Sequence, residues 1–357
     1  MKTKPLDQRV KSTKFMHELT DQYPQVEIFD PANGVLLGTV PDMGVEGAKV
    51  ATAAAWDAWA MWRDTPPMER GNYLTKWYSL VLEHADDLAV MITSESGKPL
   101  AEGKGEVLYA ASFIDFFAGE TRRLEGCLMP PLSSSKRMLA MKQSVGPSAL
   151  ITPWNFPAAM ITRKAAAALA AGCPVVIKPA EATPFTAIAL RHLAVEAGLP
   201  PALISIVTSC RASVPALGEF LATDPRLRKI SFTGSTAVGK LLLSQAAGTV
   251  KRVSMELGGN APFIIMPDAD LDAAADGLIA CKFRNAGQTC VSANRVLVAE
   301  EVMGAFTSRL LERVAKLKVG HGLDPGVTVG PLINEAAVNK VREQVEDAEG
   351  KGAEVVA

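Results

Sequence analysis

The sequence predicts an α/β protein, with one parallel-sheet domain of the Rossmann-like kind followed by a second α/β domain. Two observations lead to this fold class. From Val145 onward, short apolar segments alternate with amphipathic helical segments, which is the pattern of parallel strands covered by helices on both faces. Segments rich in Gly, Pro and polar residues stand where these strands end. A chain of 357 residues is long enough to build two domains with buried cores.

The part of the chain before this series is expected to be helical, apart from one hairpin. Residues 44–120 read as mostly helical, because Glu46–Trp62 is rich in alanine and Met68–Ser94 carries apolar residues at intervals of three and four. Ser133–Val145 instead alternates charged and apolar residues, which is typical of an exposed hairpin or of an edge strand in an oligomer. We therefore predict a small oligomerisation hairpin at about residues 130–146.

Two series of strands give the predicted domain organisation. The first comprises strands Ser148–Ile151, Val175–Lys178, Ile204–Thr208, Lys229–Phe232 and Arg252–Met255, with helices Ala158–Ala171 and Pro184–Ala197 between them. The second comprises strands Ala261–Met266, Arg295–Val298 and Ala353–Val356. The change of series predicts a domain boundary close to Glu256, with a first domain at 21–255 and a second at 256–357. Residues 1–20 are expected to form an N-terminal extension. Because the chain ends at Ala357 directly after a predicted strand, we expect the second domain to be incomplete.

Charge and hydropathy argue against two classes of protein. The 37 basic and 38 acidic side chains give a net charge of −1, so no overall field attracts nucleic acid. The longest apolar run, Ala165–Ile177, is interrupted by Gly172 and Pro174 and is too short to cross a bilayer, so no membrane association is expected. The basic stretch Lys2–Lys14 is interpreted as a solvated charged face. Its basic and hydroxyl residues also resemble an organelle-targeting segment, but Asp7 and the shortness of the stretch argue against that. The cytoplasm is the expected compartment, with the mitochondrial matrix as the alternative.

The five cysteines are odd in number, scattered and never spaced as CxxC, which favours a reducing compartment and neither a disulfide framework nor a metal site. One of them, Cys290, ends the segment Asn285–Cys290, whose glycine and amide residues leave backbone N–H groups free to face an oxyanion. A thiolate in such a setting is a candidate nucleophile. The other four are interpreted as small apolar residues: Cys127, Cys173, Cys210 and Cys281.

A nucleophilic cysteine needs a base, and Glu256 is the better candidate for it. The four histidines lie away from every motif, whereas Glu256 follows a predicted strand and precedes Gly258 and Gly259. A salt bridge at the strand end is the alternative interpretation. Asn155, between two prolines, has a side-chain amide that can donate to an oxyanion, although a turn-forming role fits this position equally well.

The segment Gly234–Gly239 resembles a phosphate-binding P-loop only in part. After Lys240 such a loop needs Ser or Thr for a magnesium ion, and here Leu241 follows, which disfavours a P-loop nucleotide hydrolase. No GxGxxG follows any predicted strand either. What remains is a helix N-terminus with Ser235, which suits one phosphate of a dinucleotide.

Taken together and in this order, five segments resemble the aldehyde dehydrogenase superfamily, over a match from about Val26 to the end of the chain. The resemblance implies that Cys290 attacks an aldehyde carbonyl to give a thiohemiacetal, that Asn155 and the Cys290 N–H hold the oxyanion, and that Glu256 activates the water that hydrolyses the thioester. The five segments are Thr152–Pro157, Lys178–Glu181, Phe232–Gly239, Met255–Asn260 and Asn285–Cys290.

The same resemblance implies a dinucleotide cofactor, NAD with NADP possible. Lys178 and Glu181 would bind the adenosine ribose, and Ser235 the pyrophosphate. A glutamate at Glu181 is typical of members that prefer NAD, since a carboxylate repels a 2′-phosphate. The residues expected to bind the cofactor are Thr152, Trp154, Lys178, Pro179, Ala180, Glu181, Gly234, Ser235, Gly239 and Leu257.

The match is closer still to succinate-semialdehyde dehydrogenases, on the stretches Pro157–Lys164 and Lys282–Cys290. It implies oxidation of succinate semialdehyde to succinate, a step of 4-aminobutyrate degradation, with Arg163 and Arg284 binding the distal carboxylate of the substrate. The fork of guanidinium donors suits a carboxylate. Another semialdehyde dehydrogenase, such as one for glutarate semialdehyde, is the nearest alternative.

Two features depart from the family pattern. Where some relatives carry a second cysteine as a redox switch, this chain has Ser292, so a disulfide at the site is not expected. The family's C-terminal portion, which follows the position of Ala357, supplies a nicotinamide-ribose contact, part of the substrate pocket and a strand that completes the dimer. A homodimer or homotetramer is expected for the full length, and an inactive truncated homologue is the alternative.

Overall fold

In the computed structural model, the described residues are 22–356. The extension predicted at residues 1–20, with its targeting-like stretch, lies outside them. The chain divides into two compact units. The described residues of the first unit are 22–27, Gly38–Leu88 and Lys104–Leu257, and those of the second are Ile28–Leu37, Ala89–Gly103 and 258–356.

The division lies after Leu257, close to the boundary predicted after residue 255. The predicted first domain, 21–255, includes two short segments that the structure assigns to the second unit: Ile28–Leu37 and Ala89–Gly103. Tertiary hydrogen bonds explain the difference, because the Asp30 carboxylate lies 2.9 Å from His321 Nε2, and the N–H of Leu100 donates to the carbonyl of Gly322 at 2.9 Å.

The described secondary structure alternates strands and helices as predicted. The strands are β1 (Gln25–Phe29), β2 (Leu36–Pro41), β3 (Cys127–Met129), β4 (Met138–Ala140), β5 (Ser148–Ile151), β6 (Val175–Lys178), β7 (Ile204–Ile206), β8 (Lys229–Thr233), β9 (Arg252–Glu256), β10 (Ala261–Ile265) and β11 (Ala293–Val298). The α-helices are α1 (Gly44–Asp64), α2 (Pro67–Glu83), α3 (Ala85–Ser96), α4 (Leu100–Glu120), α5 (Ala159–Ala170), α6 (Pro184–Glu196), α7 (Val214–Thr223), α8 (Thr236–Ala246), α9 (Leu271–Lys282), α10 (Glu300–Val314) and α11 (Glu335–Gly350).

The first unit is built on a five-stranded sheet in the order β7-β6-β5-β8-β9, with every neighbouring pair parallel. All residues of β5 and β6 are buried, which explains why these strands read as continuous apolar runs rather than alternating ones. The register aligns Ile151 with both Lys178 and Phe232, and Thr233 with Glu256. The carboxyl ends of four strands therefore meet at one edge of the sheet.

Helices cover this sheet through small and aromatic side chains. The alanine-rich face of α1 buries Ala48 and Ala55 against the core that contains Ala149 of β5. Trp62 and Trp77 are buried completely, and their indole N–H groups donate to the carbonyl oxygens of Leu169 and Leu190 at 3.1 and 3.0 Å. The large rings thus bury apolar surface while their polar atoms stay hydrogen-bonded.

The predicted hairpin is present, with different bounds. β3 and β4 pair antiparallel, so the first strand begins at Cys127, before the predicted range, and Ser133–Arg137 lies in the connection between the strands. The alternation of charged and apolar residues in Ser133–Val145 therefore includes only one strand, β4, together with the connection before it. Leu128 and Leu139 are 71% and 67% exposed, so the hairpin offers apolar surface to solvent.

The second unit contains the parallel pair β10–β11 with α9 and α10 packed beside it. Its core includes Ile265, Leu278, Ala293 and Phe306. The strand predicted at Ala353–Val356 is wrong, because these residues follow α11 without pairing to any strand of the described chain, and a strand needs a hydrogen-bonded neighbour.

No helix of the described residues is long and apolar enough to cross a membrane.

Candidate active site

The candidate residues of the first unit gather at the carboxyl edge of its sheet. The strand order reverses between β5 and β8, and such a reversal is where open α/β sheets bind ligands. Thr152 follows β5, and Thr233 ends β8. Their hydroxyl oxygens are buried and have no hydrogen-bond partner among the described residues.

The N-terminus of α8 lies at the same edge. Ser235 caps this helix by accepting from the N–H of Val238 at 3.4 Å, and the residues from Ser235 to Val238 are exposed. Gly234 donates its N–H to the carbonyl of Glu256 at 3.0 Å, which ties the turn to β9. A Cβ on Gly239 would lie 2.4 Å from a methyl of Leu257, so glycine allows close packing of the helix. This exposed helix N-terminus suits a phosphate group.

Lys178 and Glu181 form an ion pair with each other. The lysine side chain is 7% exposed and that of Glu181 33%, so the pair is fixed at the end of β6 rather than solvated. Between them, Pro179 and Ala180 are buried. Glu181 is the more exposed partner of the pair.

A buried carboxylate holds the loop that contains Trp154 and Asn155, both half-buried. Glu106 Oε1 accepts from the N–H groups of Ala158 and Ala159 at 2.8 and 3.3 Å. These N–H groups belong to the first turn of α5, which otherwise has no capping side chain. Glu106 therefore caps α5 and fixes the loop before it.

Glu256 lines a cavity of about 310 Å³ between β5, β8, β9 and α5. Three cations share the lining with this one carboxylate: Arg163, Lys164 and Lys229. The guanidinium of Arg163 also lies over the ring of Phe113, 5.3 Å from its centroid. The cavity is therefore net positive.

Lys164 was missed in the sequence analysis, and the structure places it beside Glu256. Its ammonium group is buried and donates to Ser231 Oγ at 3.0 Å. Burial, together with repulsion from Arg163 and Lys229 and against attraction by Glu256, lowers the pKa of Lys164 from 10.5 to about 8. A sequence signal existed, since Lys164 follows Arg163 in an otherwise alanine-rich helix.

Cys290 belongs to the second unit and its thiol is exposed. It follows three successive residues in the left-handed region: Asn285, Ala286 and Gly287, with φ of 51°, 53° and 75°. For a residue other than glycine, this conformation costs about 1–2 kcal/mol. Surrounding contacts must therefore hold the loop.

Side chains of the loop itself supply some of these contacts. Gln288 Nε2 donates to the carbonyl of Asn285 at 3.0 Å, and Gln288 Oε1 accepts from the N–H of Ile333 at 3.0 Å. Arg284, at the start of the loop, is exposed. Ser292, two residues after Cys290, is buried.

Comparison with known proteins decides the family. The family model described as "Aldehyde dehydrogenase family" matches residues 19–357. The chain belongs to the aldehyde dehydrogenase family. Among relatives, the mitochondrial succinate-semialdehyde dehydrogenase of Rattus norvegicus is 53% identical over 92% of this chain and 63% of its own length. The NADP(+) succinate-semialdehyde dehydrogenase of Escherichia coli K12 is 53% identical over 93% of this chain and 68% of its own.

Solved structures of the family share the fold. Succinate-semialdehyde dehydrogenase from Burkholderia pseudomallei superimposes with a TM-score of 0.91 at 53% identity, covering 94% of this chain and 69% of that one. An NAD-dependent aldehyde dehydrogenase from Sinorhizobium meliloti gives 0.90 at 36% identity, covering 94% and 66%. The resemblance and the α/β fold class are thus confirmed. The chain spans about two thirds of the length of the relatives it matches.

Proposed function

We propose that the protein oxidises succinate semialdehyde to succinate with NAD or NADP as the acceptor. Two names among the relatives support the substrate, since proteins 53% identical to this chain are succinate-semialdehyde dehydrogenases. The observation that carries the chemistry is the exposed thiol of Cys290 on a loop held in a left-handed conformation. A structure maintained against its own conformational preference is typical of a functional site.

The residues at the sheet edge fit a dinucleotide. The unpartnered hydroxyls of Thr152 and Thr233, the exposed start of α8 at Ser235, and the Lys178–Glu181 pair provide donors and acceptors for phosphate and ribose. The proposed contacts also include Trp154, Pro179, Ala180, Gly234, Gly239 and Leu257. When bound, NAD or NADP supplies the hydride acceptor.

The chain's own residues carry out the remaining steps. The thiolate of Cys290 forms a bond from Sγ to the aldehyde carbon, and the oxygen becomes an oxyanion that accepts hydrogen bonds from the Asn155 side-chain amide and the Cys290 N–H. Loss of hydride from that carbon leaves a thioester. Glu256 removes a proton from water, whose oxygen attacks the thioester carbon, and Cys290 leaves as the thiolate.

Arg163 and Arg284 are proposed to bind the distal carboxylate of the substrate. The net positive charge of the cavity that Arg163 lines with Lys164 and Lys229 supports an anionic substrate. Assembly into a homodimer or homotetramer is proposed through the hairpin β3–β4, whose apolar side chains are exposed. The proposed compartment is the cytoplasm or the mitochondrial matrix, because a bacterial and a mitochondrial relative match equally well.

Absorbance of reduced dinucleotide, followed with succinate semialdehyde, tests the proposal. Cys290→Ala should abolish turnover, whereas Cys127→Ala, at an exposed thiol of the hairpin, should leave it unchanged. The values of kcat/KM for succinate semialdehyde and glutarate semialdehyde are then compared. A higher value for glutarate semialdehyde overturns the assignment of succinate semialdehyde as the substrate. If wild-type protein forms no reduced dinucleotide, or forms it equally well without Cys290, the proposed activity of this chain is wrong.

A further inference from the structure

A carboxylate from a distant part of the chain holds the loop that carries Cys290. Within the second unit, the N–H of Asn285 donates to Glu102 Oε2 at 2.8 Å, across 183 residues of sequence. Asn285 is 1% exposed, so water has little access to replace this acceptor. A hydrogen bond to an ionised carboxylate is among the stronger ones in proteins.

This contact lies at the start of the left-handed segment of the loop. Asn285 is the first of the three left-handed residues, and it lies three residues after the end of α9 at Lys282. Gln288 makes two further contacts. Its side-chain amide donates to the carbonyl of Asn285, and its side-chain oxygen accepts from the N–H of Ile333. Glu102 and Gln288 thus hold opposite ends of the segment from 285 to 288, which ends two residues before Cys290.

Glu102 is itself well anchored. It lies in the first turn of α4, and the N–H of Leu100, two residues earlier, donates to the carbonyl of Gly322 at 2.9 Å. A Cβ on Gly322 would lie 2.4 Å from the Lys98 carbonyl oxygen, so the two backbones are in close contact. The backbone that carries Glu102 is therefore held by a hydrogen bond and by close packing against the segment around Gly322.

We propose that Glu102 is a positioning residue for the nucleophile: by accepting the Asn285 N–H it holds the strained loop in the conformation that presents Cys290. The inference rests on the proposed function in that Cys290 is taken as the reacting group. Glu102 touches neither substrate nor cofactor in this role. It acts only through the backbone of the loop.

Hydrogen exchange of the purified chain tests the contact without needing activity. In Glu102→Ala, amides of residues 284–290 should exchange at least about tenfold faster than in wild type, while α9 and α10 keep their protection. Glu102→Gln should restore much of this protection, because its amide oxygen still accepts an N–H. Glu301→Ala is the matched control, since Glu301 also lies in the first turn of a second-unit helix and is exposed.

Kinetics test the consequence for the thiol. Glu102→Ala should lower kcat about tenfold with less than a twofold change in KM, and Glu102→Gln should recover most of the loss. Unchanged exchange at 284–290, uniformly faster exchange across the unit, or an unchanged kcat with a loosened loop would each overturn the proposal. A wild-type chain without turnover refutes the proposed function instead, and the exchange pattern then still decides whether Glu102 holds the loop.

Discussion

Replacing Lys164 by methionine should stabilise the first unit at neutral pH and remove part of its pH dependence. Burial lowers the pKa of Lys164 from 10.5 to about 8, so the folded protein binds this proton less tightly than the unfolded chain. Below pH 8 the ammonium is charged in both states, and the full penalty of burying it is present. Between about pH 8 and 10.5 the unfolded chain holds more protons, and stability increases with pH.

The pKa values set the size of the effect. The difference between 10.5 and about 8 corresponds to roughly 3 kcal/mol of penalty below pH 8. Methionine removes this penalty but also the hydrogen bond to Ser231, which contributes about 1 kcal/mol. We expect Lys164→Met to be about 1–2 kcal/mol more stable than wild type at pH 7. By pH 9.5 the wild type should have regained about 2 kcal/mol relative to the variant.

Urea unfolding followed by tryptophan fluorescence measures this difference. All five tryptophans lie in the first unit, so the signal reports the unit that contains Lys164. The wild-type curve alone does not isolate Lys164, because burial also lowers the pKa of Lys251 to about 8, and the difference between variant and wild type is therefore the quantity to follow. Lys76→Met, on an exposed face of α2, controls for loss of a positive charge. A Lys164→Met difference that stays constant from pH 7 to pH 9.5 would refute the reasoning.

Three further predictions concern single side chains. Glu106→Ala should destabilise the first unit by about 1–2 kcal/mol in urea unfolding, because the first turn of α5 loses its cap; equal stability would remove Glu106 from that role. Trp77→Phe should cost at least about 2 kcal/mol, since a buried carbonyl loses its indole donor and a void opens, whereas a change below half that value would contradict the packing described. Glu181→Gln should raise kcat/KM with NADP relative to NAD at least tenfold, because the carboxylate no longer repels a 2′-phosphate; an unchanged ratio would show that another residue sets the preference.

The sequence located most elements because their determinants are local. Short runs of mostly apolar residues marked β5 and β6 correctly, since strands buried on both faces are rich in apolar residues rather than alternating. The strand predicted at Ala353–Val356 contains Glu354 between apolar residues, and this prediction is wrong because the segment pairs with no strand of the described chain. A strand exists only where a neighbour accepts and donates its hydrogen bonds, and four residues of sequence do not contain that information.

The candidate nucleophile and base could be found from sequence, but the groups that hold them in place could not. Cys290 and Glu256 stand in recognisable motifs because their side chains carry chemistry. Glu102 and Glu106 contact backbone N–H groups, at Asn285 and at the start of α5. Every residue except proline has such a donor, so a sequence gives no sign of which one a carboxylate will reach. Left-handed backbone at Asn285 and Ala286 is equally hidden, because neither residue requires it. Position in the fold therefore decides which acidic residues support the chemistry, and only the structure separates Glu102 and Glu106 from solvated glutamates.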